Sequence, residues 1–105
     1  MDSAAKIAAF TEILKLNPAE SFARYGLAME LAAQGNTDAA LAEFATLLTH
    51  NPDYVPAFQM SAQTLLKLGR TAEARTRLEA GLAAAARTGN AHAASEMQAM
   101  LDDLG

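Results

Sequence analysis

The chain has 105 residues, a net charge of −4, 51% hydrophobic residues and no cysteine. This length suits one domain, and the apolar fraction is too high for a disordered chain. The lack of cysteine excludes disulfide frameworks and thiolate metal sites. The negative charge, without a dense Lys/Arg cluster, argues against nucleic acid as a partner. Val occurs once and Ile twice, and this shortage of β-branched residues favours helices over strands.

Apolar periodicity broken by Gly, Asn and Pro predicts an all-α chain of about six helices. In chain order we expect them over residues 3–16, 19–34, 37–50, 53–68, 71–87 and 90–103. The connections between these ranges are two to four residues long. Such short connections predict that sequential helices pack antiparallel.

Residues at the helix boundaries have readable roles. Ser3, Thr37 and Thr71 precede helical patterns and are predicted N-caps, because a hydroxyl can accept from a free backbone N–H. Gly35 and Gly69 are predicted to end the preceding helices in a left-handed conformation.

Prolines mark the other boundaries. Asn17-Pro18 and Asn51-Pro52 each separate two helical patterns, and Pro56 is tolerated only in a first helical turn. Gly89-Asn90 is predicted to stop the fifth helix and cap the sixth.

A period of 34 residues relates residues 17–50 to residues 51–84, with nine identical positions. The first helix follows the same register, since Phe10 precedes Phe44, and Leu14 precedes Leu48, by 34 residues. A single helix pair cannot bury its apolar face alone, so the repeat predicts stacked pairs with a continuous core.

The 34-residue period with small residues at set positions resembles the tetratricopeptide repeat. The first full repeat carries the family's hallmarks as Leu27, Ala28, Leu31, Ala40, Phe44, Leu47 and Pro52, and departs from them at Arg24. The second carries Phe58, Ser61, Ala62, Leu65, Ala74, Leu78 and Gly81, with Ala86 in place of the closing Pro. The resemblance covers residues 3–86 and implies an antiparallel helix-pair solenoid with a right-handed superhelix.

The resemblance implies one domain over residues 1–105. We expect a half repeat at 3–16, repeats at 19–52 and 53–86, and a capping helix at 90–103. In strict register Glu96 would take a small packing position, so the last helix is predicted to cover the open end with Ala93, Met97, Met100, Leu101 and Leu104.

In this family the first helix of each pair lines a concave groove. The matching groove residues here are Phe22, Tyr25, Met29, Gln59, Met60, Gln63 and Lys67, beside Gly26, Ala33 and Pro56. Met adapts its shape and Gln can hydrogen-bond a peptide backbone, so we expect an adaptor for an unidentified protein or peptide. The competing interpretation is that Phe22 and Met29 pack against neighbouring helices. The family's carboxylate clamp needs Lys, Arg and Asn, whereas Tyr25, Met29 and Met60 occupy the matching positions.

Several alternatives stay open or are disfavoured. Self-association through the groove or the Met-rich terminal helix is the second hypothesis. Gly26 and Gly81 lie inside helices, where a close approach by a ligand at Gly26 or by the terminal helix at Gly81 would explain them. The alternative is that each is a glycine tolerated in a well-packed bundle. His50 and His92 have no ligand partner at helical spacing, so no metal or other cofactor is expected. No phosphate loop or nucleophile motif is present, and we expect a cytoplasmic protein that is not an enzyme and has no membrane partner.

Overall fold

The computed structural model describes residues 2–105, and the elements found there are all helices. They are α1 (Ser3–Leu16), α2 (Ser21–Ala33), α3 (Thr37–His50), α4 (Val55–Lys67), α5 (Thr71–Thr88) and α6 (Ala91–Asp103). Each helix begins and ends within two residues of its predicted range. Within residues 2–105, no helix is both long enough and apolar enough to cross a membrane.

Glycines end α2, α4 and α5 as predicted. Gly35, Gly69 and Gly89 have φ angles of +82°, +74° and +69°, a left-handed conformation that only glycine adopts without strain. Behind the first of them the chain turns back, and the N–H of Asn36 donates to the carbonyl of Leu31 at 2.9 Å. Equivalent bonds follow Gly69 and Gly89, so the last carbonyls of these helices are satisfied.

The predicted N-caps Ser3, Thr37 and Thr71 are wrong by one residue, since each is the first residue inside its helix. The caps are Asp2, Asn36 and Arg70. Only Asp2 among these three accepts a capping bond through its side chain, from the Ala5 N–H at 2.8 Å. The repeat gives the position of each helix start, and in these three helices the hydroxyl residue follows the cap.

Two starts depend on residues other than those three. Glu20 caps α2 by accepting from the N–H of Ala23. Asn90 caps α6 by accepting from the N–H of Ala93 at 3.1 Å, as predicted. Pro56 is the second residue of α4, where its missing N–H leaves no helical hydrogen bond unmade.

The chain divides into two compact units, the first ending at Asn51 and the second running from Pro52 to Gly105. In unit 1, α2 packs against α1 on one side and α3 on the other. Leu14, Ala23 and Leu27 form its α1–α2 core, with Ile7, Phe10 and Leu31 packed around them. Between α2 and α3, Ala28 and Ala40 are fully buried, which confirms both predicted small positions.

In unit 2, α5 packs against α4 and α6. Ala62 and Ala74 are fully buried, again as predicted for a close helix pair. On α6, Ala93 and Met97 are buried and Met100, Leu101 and Leu104 are half-buried. The terminal helix therefore turns its predicted apolar face inward and keeps Glu96 at the surface.

Candidate functional site

The α2 face of the candidate site lies between the two flanking helices of unit 1. Ala23, Leu27 and Ala28 direct α2 into the core, which leaves Phe22, Met29 and Ala33 outside it. Phe22 exposes 68% of its surface and Met29 is half-buried. This exposure of Phe22 contradicts the alternative interpretation, in which its side chain packs against neighbouring helices.

Tyr25 is more tightly held than the sequence indicates. Its ring packs edge-on against Phe44 of α3, with centroids 6.2 Å apart and planes at 61°. Phe44 is fully buried, so one side of Tyr25 belongs to the α2–α3 core. A substitution of Tyr25 would therefore change stability as well as the surface, because such ring pairs stabilise by about 0.5–1.5 kcal/mol.

Gly26 faces α1 and not an open groove. A Cβ at this position would meet the ring of Phe10, with Cε2 only 2.7 Å away. The ligand explanation of Gly26 is therefore wrong, because Phe10 already occupies the notch. The explanation of Gly81 is confirmed, since its Cβ would lie 2.5 Å from the Met97 Sδ of the terminal helix.

The second candidate face lies on α4 and belongs to unit 2. Phe58, Ala62 and Leu65 turn into the core. The opposite residues are less enclosed: Gln59, Met60 and Gln63 are half-buried, and Pro56 and Lys67 are exposed. Ser61 is buried and donates to the Ala57 carbonyl at 2.6 Å, which satisfies its hydroxyl within the helix.

The side-chain amides on α4 make no hydrogen bonds within the described residues. Neither Gln59 nor Gln63 has a side-chain hydrogen-bond partner in residues 2–105, and the Lys67 ammonium has no carboxylate within 4.0 Å there. All buried side-chain polar atoms of the described residues do have partners. These three polar groups therefore face water and are open to a partner.

Arg24 shows why the first repeat departs from the family pattern. Its guanidinium pairs with Glu43 of α3 at 2.6 Å and donates to the Pro18 carbonyl at 2.8 Å. Its side chain is only 14% exposed, so an ion pair occupies the place where the family has an aromatic ring. Glu43 is therefore a paired, half-buried group and not a solvated surface charge.

Glu30 is likewise not a solvated charge. It accepts from the Ser3 hydroxyl at 2.9 Å and pairs with Lys6 at 3.4 Å, both on α1. Lys6, at the small-residue position of the half repeat, thus lies along α2. Sequence reasoning missed both ion pairs, because they join residues 19 and 24 positions apart on different helices.

Two basic residues of the C-terminal half form ion pairs at the surface. Arg70 binds Glu73 at 2.5 Å and Arg87 binds Asp53 at 2.8 Å. The hydrogen bond from Arg70 lowers the pKa of Glu73, and burial lowers the pKa of Arg77. Over residues 2–105, no three His, Cys, Asp or Glu side chains lie close enough together to hold a metal ion.

Helix pairs with small residues at their contact, joined by Gly and Pro boundaries at a 34-residue period, define a helical repeat protein. A family model described as "Tetratricopeptide repeat" matches residues 31–99, more than half of the chain. The chain therefore belongs to the tetratricopeptide repeat family. A comparison with proteins of curated function finds no match.

Solved structures give the same fold. A tetratricopeptide repeat domain protein from Salinibacter ruber is 31% identical with a TM-score of 0.79, over 84% of this chain and 89% of that one. The TPR2B domain of yeast Sti1, solved with pHsp70, is 22% identical with a TM-score of 0.86, over 93% and 78%. PcrH, solved with the chaperone binding region of PopD, is 19% identical with a TM-score of 0.86, over 93% and 74%. The chain thus has the all-α, helix-pair fold of tetratricopeptide solenoids.

Proposed function

We propose that the chain is a non-enzymatic adaptor that binds a protein or peptide on the outward faces of α2 and α4. The observation that carries this proposal is the chemistry of those faces. Phe22 and Met29 offer reachable apolar surface, while the amides of Gln59 and Gln63 make no hydrogen bond within residues 2–105. A partner can bury the apolar groups and pair with the amides, and the interaction of each then adds to affinity.

The fold of two relatives supports this proposal. The TPR2B domain of Sti1 and PcrH were each solved with a segment of another protein. At 22% and 19% identity they share the fold with this chain. They show that helix pairs of this kind can hold protein segments, and the identity of the partner here is a separate question.

The expected ligand is hydrophobic or mildly acidic. The positions that the family's carboxylate clamp fills with Lys, Arg and Asn hold Tyr25, Met29 and Met60 here. Lys67 is the single cation among the candidate residues. Binding should therefore vary little with salt, since few exposed ion pairs would form.

Self-association through the terminal helix has less support than a separate partner. Met97 is fully buried and fills the space above Gly81. The largest fully buried side chain of α6 is therefore already used inside unit 2.

The test begins with a partner isolated by pull-down from the source organism and continues by calorimetric titration. Met29→Ala and Gln63→Ala should each weaken binding by about 1 kcal/mol or more. Both positions are partly exposed, so the circular dichroism spectrum should not change. Arg75→Ala is the control, because Arg75 lies on α5 and donates only to the carbonyl of Gly105. Loss of binding in Arg75→Ala alone would mean that the basic C-terminal face binds the partner.

A further inference from the structure

Exposed large apolar side chains are concentrated at one end of unit 1. Among residues 2–105 four such side chains are exposed: Ile13 at 44%, Leu16 at 91%, Phe22 at 68% and Leu68 at 41%. The first three belong to the last turn of α1 and the first turn of α2. We call Ile13, Leu16 and Phe22 the α1–α2 patch.

The helix contacts bring Ile13 and Phe22 to the same side of the α1–α2 pair. Phe10 lies against Gly26, and Leu14 shares a core cluster with Ala23. Ile13 comes three residues after Phe10, and Phe22 comes four residues before Gly26. Residues three or four apart share a helix face, so both side chains lie on the side where Phe10 meets α2.

The internal repeat shows that Ile13 occupies a packing position. The residues 34 and 68 positions later are Leu47 and Gly81, and both are buried. The helices that carry them, α3 and α5, each pack against the helix that precedes them in the chain. Within unit 1, α1 packs only against the helix that follows it. The side of α1 that carries Ile13 therefore corresponds to the side of α3 and α5 that packs against a preceding helix. Within the described residues of unit 1, no helix covers this side of α1.

The size of the patch favours a short partner over a second copy of the chain. Three partly exposed side chains offer a few hundred Å² of apolar surface, which is typical of a functional patch on a monomer. A stable dimer buries about 1,200–2,000 Å² in total, so two such patches fall short. Charge does not add to the surface, because Lys15 next to it is paired with Glu12 at 2.9 Å.

We propose that the α1–α2 patch is a docking surface for a short amphipathic helix of another protein, which seats apolar side chains against Ile13, Leu16 and Phe22. This extends the proposed adaptor function, on which it rests, from the outward face of α2 onto α1. The occupant is helical because the positions that match Ile13, Leu47 on α3 and Gly81 on α5, are buried in helices that pack against the preceding helix. It needs only about two helical turns of apolar contact to cover the patch.

The test uses two synthetic peptides of about 14 residues, equal composition and zero net charge. In one peptide the Leu residues follow helical spacing, and in the other they are scattered. Each is titrated into the ¹⁵N-labelled chain. The amphipathic peptide should shift the amide signals of residues 12–16 and 21–25 and should bind more tightly than the scattered one. Equal binding of the two peptides, or no shift at these residues, would overturn the proposal.

Single-residue variants show which side chains of the patch contribute to peptide binding. Leu16→Ser and Ile13→Ser should each weaken binding of the amphipathic peptide roughly tenfold, because each removes a large apolar contact. Leu68→Ser is the control, since Leu68 is as exposed as Ile13 but lies outside the patch. Should Ile13→Ser unfold, Leu16→Ser still decides, because a side chain that is 91% exposed contributes little to folding. A loss in Leu68→Ser equal to that in Leu16→Ser would overturn the proposal.

Two further outcomes separate this proposal from its alternatives. If the parent chain self-associates in light scattering and Leu16→Ser abolishes this association, a second copy of the chain covers the patch. That result would overturn the proposed occupant. Binding of the natural partner that depends on Met29 and Gln63, but not on Ile13 or Leu16, would overturn this proposal and leave the adaptor function standing. Binding of the natural partner that depends on Ile13 and Leu16, but not on Met29 and Gln63, would support the α1–α2 patch. It would also exclude the α4 face as a binding surface.

Discussion

Gly26 and Gly81 stand inside helices because each receives a side chain from a neighbouring helix. An interior Gly costs about 1 kcal/mol relative to Ala, so the contact made in its place must offset that cost. At Gly26 the incoming group is the ring of Phe10, which is half-buried. At Gly81 the groups are the Met97 thioether and the Cβ of Phe58, both of them buried.

The two glycines should respond differently to alanine. A Cβ at Gly81 would lie 2.8 Å from the Phe58 Cβ, which cannot move without the α4 backbone. We expect Gly81→Ala to lower the free energy of unfolding by about 1–3 kcal/mol, as overpacking does. Gly26→Ala should change it by less than about 1 kcal/mol, because the far end of the Phe10 ring can swing outward and Ala favours the helix. Urea midpoints measure both, and equal losses would contradict this difference.

Single residues were the hardest level to predict from sequence. Gly26 could be recognised in the sequence as a glycine inside a helix. Nothing in the sequence pattern showed that the Phe10 ring would fill the space beside it. The pairing of Arg24 with Glu43 was not visible for the same reason, since it depends on how α2 and α3 face each other. A contact between side chains on different helices needs a three-dimensional register that composition and spacing do not contain.

At the scale of the helices, the boundary residues determine most of what the sequence reveals. Glycines with positive φ end three helices, and prolines precede the starts of two. These residues have backbone restrictions of their own, so their positions predict helix ends within two residues. Ser and Thr have no comparable backbone restriction. The sequence therefore placed these three N-caps one residue too late in the chain.

Capping strength should follow the observed hydrogen bonds. Asn90 accepts from the Ala93 N–H at 3.1 Å and Asp2 from the Ala5 N–H at 2.8 Å. We expect Asn90→Ala and Asp2→Ala each to lower the free energy of unfolding by about 1 kcal/mol. Thr37→Ala and Thr71→Ala serve as matched controls. Both threonines begin their helices without capping them, so their effects should stay within about 0.5 kcal/mol. Thermal and urea unfolding would measure all four, and a larger loss for the threonines would restore the original cap assignment.

At the scale of the whole molecule, the repeat explains why the two ends of the chain differ. The 34-residue period predicted the number, order and pairing of the helices, because stacked units reuse the same small and large positions. Glu96 breaks the period at a position that holds Ala62 one repeat earlier. That break predicts a terminal helix with one polar side, and Met97 buried beside exposed Glu96 agrees with it. The candidate faces on α2 and α4 could be proposed from the family pattern, whereas the exposure of Ile13 and Leu16 is visible only in the structure.

Removal of the terminal helix should destabilise the rest of unit 2. Truncation after Gly89 deletes α6, and with it the Met97 side chain that fills the space over Gly81 and the buried Ala93. Loss of one fully buried large apolar side chain alone costs about 1.5–3 kcal/mol. The surface left behind on α5 is apolar, since Leu78, Ala84 and Ala85 are buried in the intact chain. We therefore expect a lower urea midpoint, a less cooperative transition, and aggregation at concentrations that the full chain tolerates.

A substitution that keeps the helix provides the control for this truncation. His92 and Glu96 lie on the exposed side of α6 and pair with each other at 3.0 Å. His92→Ala should lower the free energy of unfolding by no more than an exposed side-chain contact contributes, about 0–1 kcal/mol. Met97→Ala should reproduce a large part of the truncation, because its cost comes from the same packing. If the truncated chain unfolds at the parent's midpoint with the parent's cooperativity, α6 does not stabilise unit 2, and its apolar face must be assigned to a partner.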